Sequence, residues 1–156
     1  MSDECPPVLR RLDHVAIAIR DTESALRYFS EELGLPVVHT DELEAPPVTL
    51  VYLDAGNVYL QLVSPRGECD ISRWLDEKGE GLHHLCFAVE DVSEAIEALS
   101  SASESSPSLG RGRGRISGFV RNGSPFGVLL ECTELHPGNR GGPVDIRPAA
   151  SIPDDG

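Results

Sequence analysis

The chain has 156 residues, 40% of them hydrophobic, which is enough for one compact domain or for two small modules sharing a core. Against 26 acidic residues stand 13 basic ones, and the net charge of −13 excludes nucleic acid as a partner, because a sequence-independent grip on phosphates comes from Lys and Arg. No apolar run reaches the roughly 18 residues of a membrane span, and MSDECPPVLRR lacks the apolar core of a signal peptide, so the expectation is a cytoplasmic protein without a membrane partner.

Residues 1–10 read as an N-terminal extension. The run LDHVAIAI that follows alternates as a strand, with Val15, Ile17 and Ile19 on one face and His14, Ala16 and Ala18 on the other. Asp21 is placed to cap an amphipathic helix over 22–33, which Gly34 and Pro36 close. Strands over 48–53 and 58–63, separated by the turn DAGN, complete a first module spanning 11–66. A linker at 67–80 holds a short helix ended at Gly79, with Trp74 as a packing anchor. The second module, 81–134, opens on a strand over 82–89 in which His84, Cys86 and Ala88 share one face, and His83, Leu85, Phe87 and Val89 the other. Asp91 caps a helix over 92–99, with Glu94 three residues on in a variant of the capping box. A polar, Gly-rich loop ending in GRGRGR leads to strands over 116–121 and 127–132 around the turn NGSP. The Pro- and Gly-rich residues 135–156 form an irregular tail to which no chemistry is assigned.

The two modules are copies of one pattern. An offset of 70 residues carries LDHVAIAIRDTESAL onto LHHLCFAVEDVSEAI, with Leu12/Leu82, His14/His84, Ala18/Ala88, Asp21/Asp91 and Ala25/Ala95 identical. The same offset carries Gln61 onto Glu131. Each of these four polar residues stands in an otherwise apolar strand, and each alone reads as an ordinary satisfied polar group. Related by one pseudo-twofold, His14, Gln61, His84 and Glu131 form a set of two imidazoles and two oxygen donors, which suits a divalent cation such as Co²⁺, Mn²⁺, Zn²⁺ or Ni²⁺. The small neighbours of each histidine on its strand leave room beside the imidazole. Cys5, Cys69, Cys86 and Cys132 show no CxxC spacing and read as reduced thiols.

The stretches DHVAIAIRDTESALRYFSEELGLPVV, LQLVSP, WLDEKGEGLHHLCFAVEDV and GVLLEC together resemble the vicinal oxygen chelate (glyoxalase/bleomycin resistance/dioxygenase) superfamily, and within it the methylmalonyl-CoA epimerases. The resemblance implies an α+β fold of two tandem βαβββ modules forming one curved mixed sheet around a metal site, and a homodimer. It implies that His14, Gln61, His84 and Glu131 hold the metal and that an acyl-CoA is the substrate. It further implies that Glu131 doubles as a base and that a second base is a glutamate in the loop entering the strand over 48–53. There the family reads EQGV and this chain reads LEAPPV, so an ungapped comparison puts Ala45 at the catalytic position and leaves Glu44, one residue earlier, as the candidate. Arg111, Arg113 and Arg115 are candidates for the phosphates of coenzyme A, with a solvated loop as the alternative. His83 is expected near the metal strand without ligating; His39 and His136 are left out. Two other functions share the fold: a glyoxalase I-type lyase acting on a glutathione hemithioacetal, and a binding protein that sequesters a small molecule without chemistry.

Overall fold

The computed structural model describes residues 8–100, 109–120 and 125–135. Along the chain run β1 (Arg11–Ala18), α1 (Thr22–Leu26), β2 (Val37–Glu44), β3 (Pro47–Asp54), β4 (Tyr59–Pro65), α2 (Asp70–Lys78), β5 (Gly81–Val89), α3 (Val92–Leu99), β6 (Leu109–Gly112), β7 (Arg115–Phe119) and β8 (Leu130–Glu134). The strands form one mixed sheet in the order β2-β3-β4-β1-β5-β8-β7-β6. The expected α+β fold of paired βαβββ modules is the one observed.

The 70-residue offset governs how the strands pair. At the centre β1 and β5 run antiparallel, with His14 opposite Cys86 and Ala16 opposite His84; the offset exchanges these two pairs and returns Val15 opposite Leu85 onto itself. Flanking them in parallel are β4 and β8, where Ala16 opposite Gln61 becomes Cys86 opposite Glu131. A local twofold axis thus passes through the Val15–Leu85 pair. The sheet curls until its edges approach: the backbone N–H of Arg113, in the turn after edge strand β6, donates to Asp41 Oδ2 on the opposite edge strand β2 at 2.8 Å.

Both expected aspartate caps form. Asp21 accepts from the Ser24 N–H at 3.1 Å, and Asp91 from the Glu94 N–H at 2.9 Å, satisfying donors that a helix start otherwise leaves open. The first helix, expected over 22–33, is α-helical only to Leu26 and continues as a π-helix through Arg27–Glu32, with Leu33 N–H reaching back to Tyr28 O. Two strands escape the alternation read from the sequence. The polar run VVHTDELE of β2 lies at an exposed edge, and the glycines in LGRG of β6 carry no strand signal, so this segment was read as loop. A tight turn at Pro125–Gly127 delays β8 to Leu130, later than the 127–132 expected.

Packing follows the two faces of the curved sheet. On the outer face Ile19, Val51, Leu53 and Leu62 receive Leu26 and Phe29 from the first helix, and Val89, Val120 and Cys132 receive Val92, Ala95 and Ile96 from α3. On the inner face Ala16, Ala18, Val48, Leu50 and Tyr52 are closed over by Ile71 and Leu75 of α2, with Trp74 packed against them as expected. Leu85 and Phe87, expected to pack in the same way as Val89, stay half-buried. Cys69, Cys86 and Cys132 are buried free thiols; Cys5 lies outside the described residues. Among the described residues no helix is long and apolar enough to cross a membrane.

Ile96 is fully buried between α3 and the second module. Ile96→Ala is expected to cost about 2–5 kcal/mol of stability through lost burial and the cavity left behind, measured by urea unfolding; a loss below about 1 kcal/mol would contradict this packing.

Candidate metal centre

The four central strands bring the sequence-predicted set together. His14 comes from β1, Gln61 from β4, His84 from β5 and Glu131 from β8, with small residues between them: Ala16 lies between Gln61 and His84 in the pairing, and Cys86 between His14 and Glu131. His14, Gln61 and His84 are buried, and the Glu131 side chain is only 13% exposed. The Glu131 Oε1 atom lies 2.9 Å from His84 Nε2 and 3.4 Å from His14 Nε2. His14, His84 and Glu131 each offer a ligand atom within 4.8 Å of the others.

Whether a cation suits this place can be judged from its unmet polar atoms. His14 Nε2, His84 Nε2 and Glu131 Oε1 are all buried, and none makes a hydrogen bond of acceptable geometry despite their closeness. Buried polar atoms are otherwise almost always satisfied. Three such atoms aimed at one point are the arrangement a divalent ion completes. Gln61 donates from Nε2 to Tyr52 Oη at 2.8 Å, which commits its nitrogen and leaves its oxygen as the atom it could offer a cation. Nitrogen, nitrogen and two oxygens are a donor set that fits Co²⁺, Mn²⁺, Zn²⁺ or Ni²⁺.

Support for the imidazoles also obeys the repeat, and strand alternation concealed it. The β1–β5 register slips at Asp13 and, seventy residues on, at His83, so that each is the extra residue of a β-bulge beside a histidine. Both side chains turn to the histidine that follows. Asp13 Oδ2 lies 2.8 Å from His14 Nδ1, and His83 Nδ1 lies 2.7 Å from His84 Nδ1. With a cation on each Nε2, Nδ1–H would be the donor in both bonds, and each neighbour would set the tautomer. His83 can accept because burial, and after it the adjacent His84, pulls its pKa down to about 4 and keeps it neutral. His14 has the opposite tendency: burial opposes its charge, but the bond to Asp13 and the nearby Glu131 carboxylate outweigh burial and raise its pKa. Burial likewise opposes the charge on Glu131, and contacts with His14 and His84 overcome it and hold the carboxyl well below the usual range.

The centre opens onto a cavity of about 560 Å³ whose walls include Leu43, Val48, Leu50, Val63, Ile71 and Trp74. His83 lines it too, edge-on to Trp74. Glu44 is not brought to this cavity. Its neighbours Leu43 and Pro46 line the wall, whereas its carboxylate is 89% exposed and lies 3.5 Å from Arg66 Nη2. The three arginines divide. Arg111 lines the cavity, while Arg113 is buried beneath the centre and Arg115 lies half-buried 3.9 Å from Asp13. Only Arg111 keeps a position open to a bound phosphate; Arg113 is spent on the protein interior. His39 pairs with Asp41 at an exposed edge, and His136 lies outside the described residues. Asp13, Tyr52 and Arg113 are the supporting residues that alternation did not find, although a buried-face aspartate and a histidine at the same offset were its visible trace.

Two outcomes are expected. His84→Ala abolishes Co²⁺ binding by the metal-stripped protein in titration calorimetry, and retained affinity would contradict the centre. In that metal-free protein the lowered Glu131 pKa contributes stability that is full above its ordinary value of 4.5 and is lost as pH falls. The raised His14 pKa contributes stability that is full below 6.5 and is lost as pH rises through the folded value. The stability advantage of wild type over Glu131→Gln is therefore greatest between pH 4.5 and 6.5 in urea unfolding; an advantage that keeps growing toward pH 3 would contradict the pairing.

Comparison with known proteins places this geometry. Residues 13–108, more than half of the chain, match the model of the glyoxalase/bleomycin resistance protein/dioxygenase superfamily. An uncharacterised protein of Bacillus subtilis, YqjC, is 31% identical over 81% of this chain and 93% of its own length. The mitochondrial methylmalonyl-CoA epimerase of mouse is 35% identical over 62% of this chain, a stretch that spans 56% of the mouse protein. Among solved structures, a methylmalonyl-CoA epimerase of Streptomyces coelicolor in complex with 2-nitronate-propionyl-CoA shares 29% identity at a TM-score of 0.68, over 81% of this chain and 97% of that one. With two βαβββ modules meeting at a central pair of histidine strands, the chain belongs to the glyoxalase/bleomycin resistance protein/dioxygenase superfamily.

Proposed function

We propose that this protein is a metal-dependent methylmalonyl-CoA epimerase, an isomerase that interconverts the two epimers through an enolate. The observation that carries the reading is the clustering of His14 Nε2, His84 Nε2 and Glu131 Oε1, all buried and without a hydrogen bond among the described residues, at an apolar-walled cavity. Similarity to methylmalonyl-CoA epimerases supports the choice of substrate. A homodimer in the cytoplasm belongs to the same reading.

Inversion requires loss of the proton on the carbon between thioester and carboxylate, and its return on the other face. A divalent ion, held by His14, Gln61, His84 and Glu131, would supply positive charge to stabilise the enolate oxygen of the thioester, where negative charge develops as the proton leaves. Glu131 stays ionised, since its contacts with the two histidines hold its pKa low, and in this reading it takes the proton. The carbon–hydrogen electron pair moves into the enolate, and return of a proton from solvent to the opposite face gives the other epimer. The buried side chains of Val48, Leu50 and Ile71 line the cavity in which this carbon would sit. Arg111, at the cavity lining, is the residue placed to meet a coenzyme A phosphate.

The second transfer is where a competing reading enters. Glu44 points to solvent, and Glu131 and Asp70 are the carboxylates that line the cavity among the described residues. A single carboxylate beside the metal also suits proton transfer between adjacent carbons on one face, the chemistry of a glyoxalase I-type lyase.

With metal-loaded protein and methylmalonyl-CoA in D₂O, the proton signal of the substituted carbon is expected to disappear with wild type and to persist with His84→Ala. No exchange above background, with metal bound, would contradict the epimerase reading and turn the search to hemithioacetals. In a coupled inversion assay Glu44→Gln is expected to act within about threefold of wild type, against the ~10²–10⁴-fold that a general acid–base contributes. A hundredfold loss would show that the β2–β3 hairpin turns Glu44 inward on substrate.

A further inference from the structure

Arg113 is an unusual residue for its position. It sits in the two-residue turn between β6 and β7 with φ of +56°, followed by Gly114 at +74°, a left-handed pair that hairpin turns prefer to fill with Asn and Gly. An arginine there accepts backbone strain. Its guanidinium does not go to solvent: the side chain is 9% exposed, and it crosses from the second module into the first. There it lies over Tyr52 and Tyr59, 4.5 and 5.0 Å from their ring centroids, and Nη2 donates to Asp13 Oδ2. Nε and Nη1 make no hydrogen bond among the described residues, so the tyrosine faces and the Asp13 charge are what hold this cation. The turn is seated closely, since a Cβ on Gly112 would stand 2.8 Å from Tyr52 Oη, and the Arg113 N–H ties it to Asp41.

The residues that Arg113 touches are the supports of the centre in the first module. Asp13 Oδ2, the atom that takes its Nη2–H, also faces His14 Nδ1 at 2.8 Å. Tyr52, beneath its guanidinium, accepts from Gln61 Nε2. Two of the four metal-directed side chains are thus held by groups that are themselves held by one arginine from the other half of the chain. The repeat counterpart of Asp13 is His83, which holds His84 through an imidazole and, among the described residues, without an arginine. The two imidazoles are therefore supported unequally, His14 by a fixed carboxylate and His84 by a neutral histidine.

We infer that Arg113 is a positioning residue for the metal centre: by clamping Asp13 and Tyr52 it fixes the tautomer and direction of His14 and the amide of Gln61. The inference rests on reading His14, Gln61, His84 and Glu131 as metal donors. It puts affinity for the cation under the control of a residue that does not touch it.

The test uses the full-length, metal-stripped protein and two readouts. Arg113→Gly removes the guanidinium while suiting the left-handed backbone, so that the turn is kept; Asp13→Asn removes the charge at nearly constant shape; Arg113→Lys keeps the charge without the planar group. At a pH where the His14 ring is neutral, long-range ¹H–¹⁵N spectra of the histidine rings are expected to show a single Nδ1–H tautomer for His14 in wild type and a mixture in Arg113→Gly and Asp13→Asn, with His84 unchanged. Co²⁺ titration calorimetry is expected to show affinity reduced about 10–100-fold in both variants, with Arg113→Lys in between. An unaltered His14 tautomer in folded Arg113→Gly and Asp13→Asn, or Co²⁺ affinity within threefold of wild type, would overturn the inference. Failure of wild type itself to bind Co²⁺ would defeat the metal reading instead, and the tautomer spectra would still decide the role of Arg113.

Discussion

The antiparallel pairing of β1 with β5 is the constraint on which the site depends. Its register sets His14 opposite Cys86 and His84 opposite Ala16, so each imidazole has a small residue across from it and the two can approach a common point. Because β4 and β8 pair in parallel on either side with matching registers, Gln61 and Glu131 arrive at the same level. A shift of one residue in any of these pairings would turn one of the four side chains to the outer face. The twofold relation is an economical way to avoid that, since one correct register in a module specifies the other.

Bulges at Asp13 and His83 do a second job that a flat strand could not. In regular alternation the residue before each histidine would point to the outer face. The extra residue turns it inward, where it meets the Nδ1 of the histidine and frees Nε2 for the centre. The same symmetric device then carries different chemistry on the two sides. Asp13 brings a negative charge that must itself be compensated in a buried place, which Arg113 does from the opposite edge of the sheet. His83 brings no charge and needs no such partner. The two halves thus share one geometry and differ in the residue, Asp13 or His83, that stands at the bulge.

How much of this was legible in the sequence follows from what periodicity can and cannot encode. The offset of 70 and the isolated polar residues in apolar strands led to His14, Gln61, His84 and Glu131, because those positions are set by alternation and by the repeat alone. Asp21 and Asp91 were legible as caps for a local reason, an aspartate just before an amphipathic run. Bulges were not legible, since a strand with an extra residue looks like one without. Edge strands β2 and β6 were missed because their side chains face solvent and carry no apolar period. The place of Arg113 was beyond reach for another reason: GRGRGR reads as a flexible basic loop unless one knows that the far edge of the sheet curls round to receive it. The orientation of Glu44 belongs to the same class, for it depends on the hairpin path through Ala45 and Pro46 and not on composition.

The claim under all of this is that four side chains related by the repeat bind one cation together. Anomalous diffraction from a Co²⁺-loaded crystal, recorded above the cobalt absorption edge, tests it most directly. A single strong peak within bonding distance of His14 Nε2, Gln61 Oε1, His84 Nε2 and Glu131 Oε1 is the predicted result. A peak elsewhere on the protein, or one that leaves out either histidine, would contradict it.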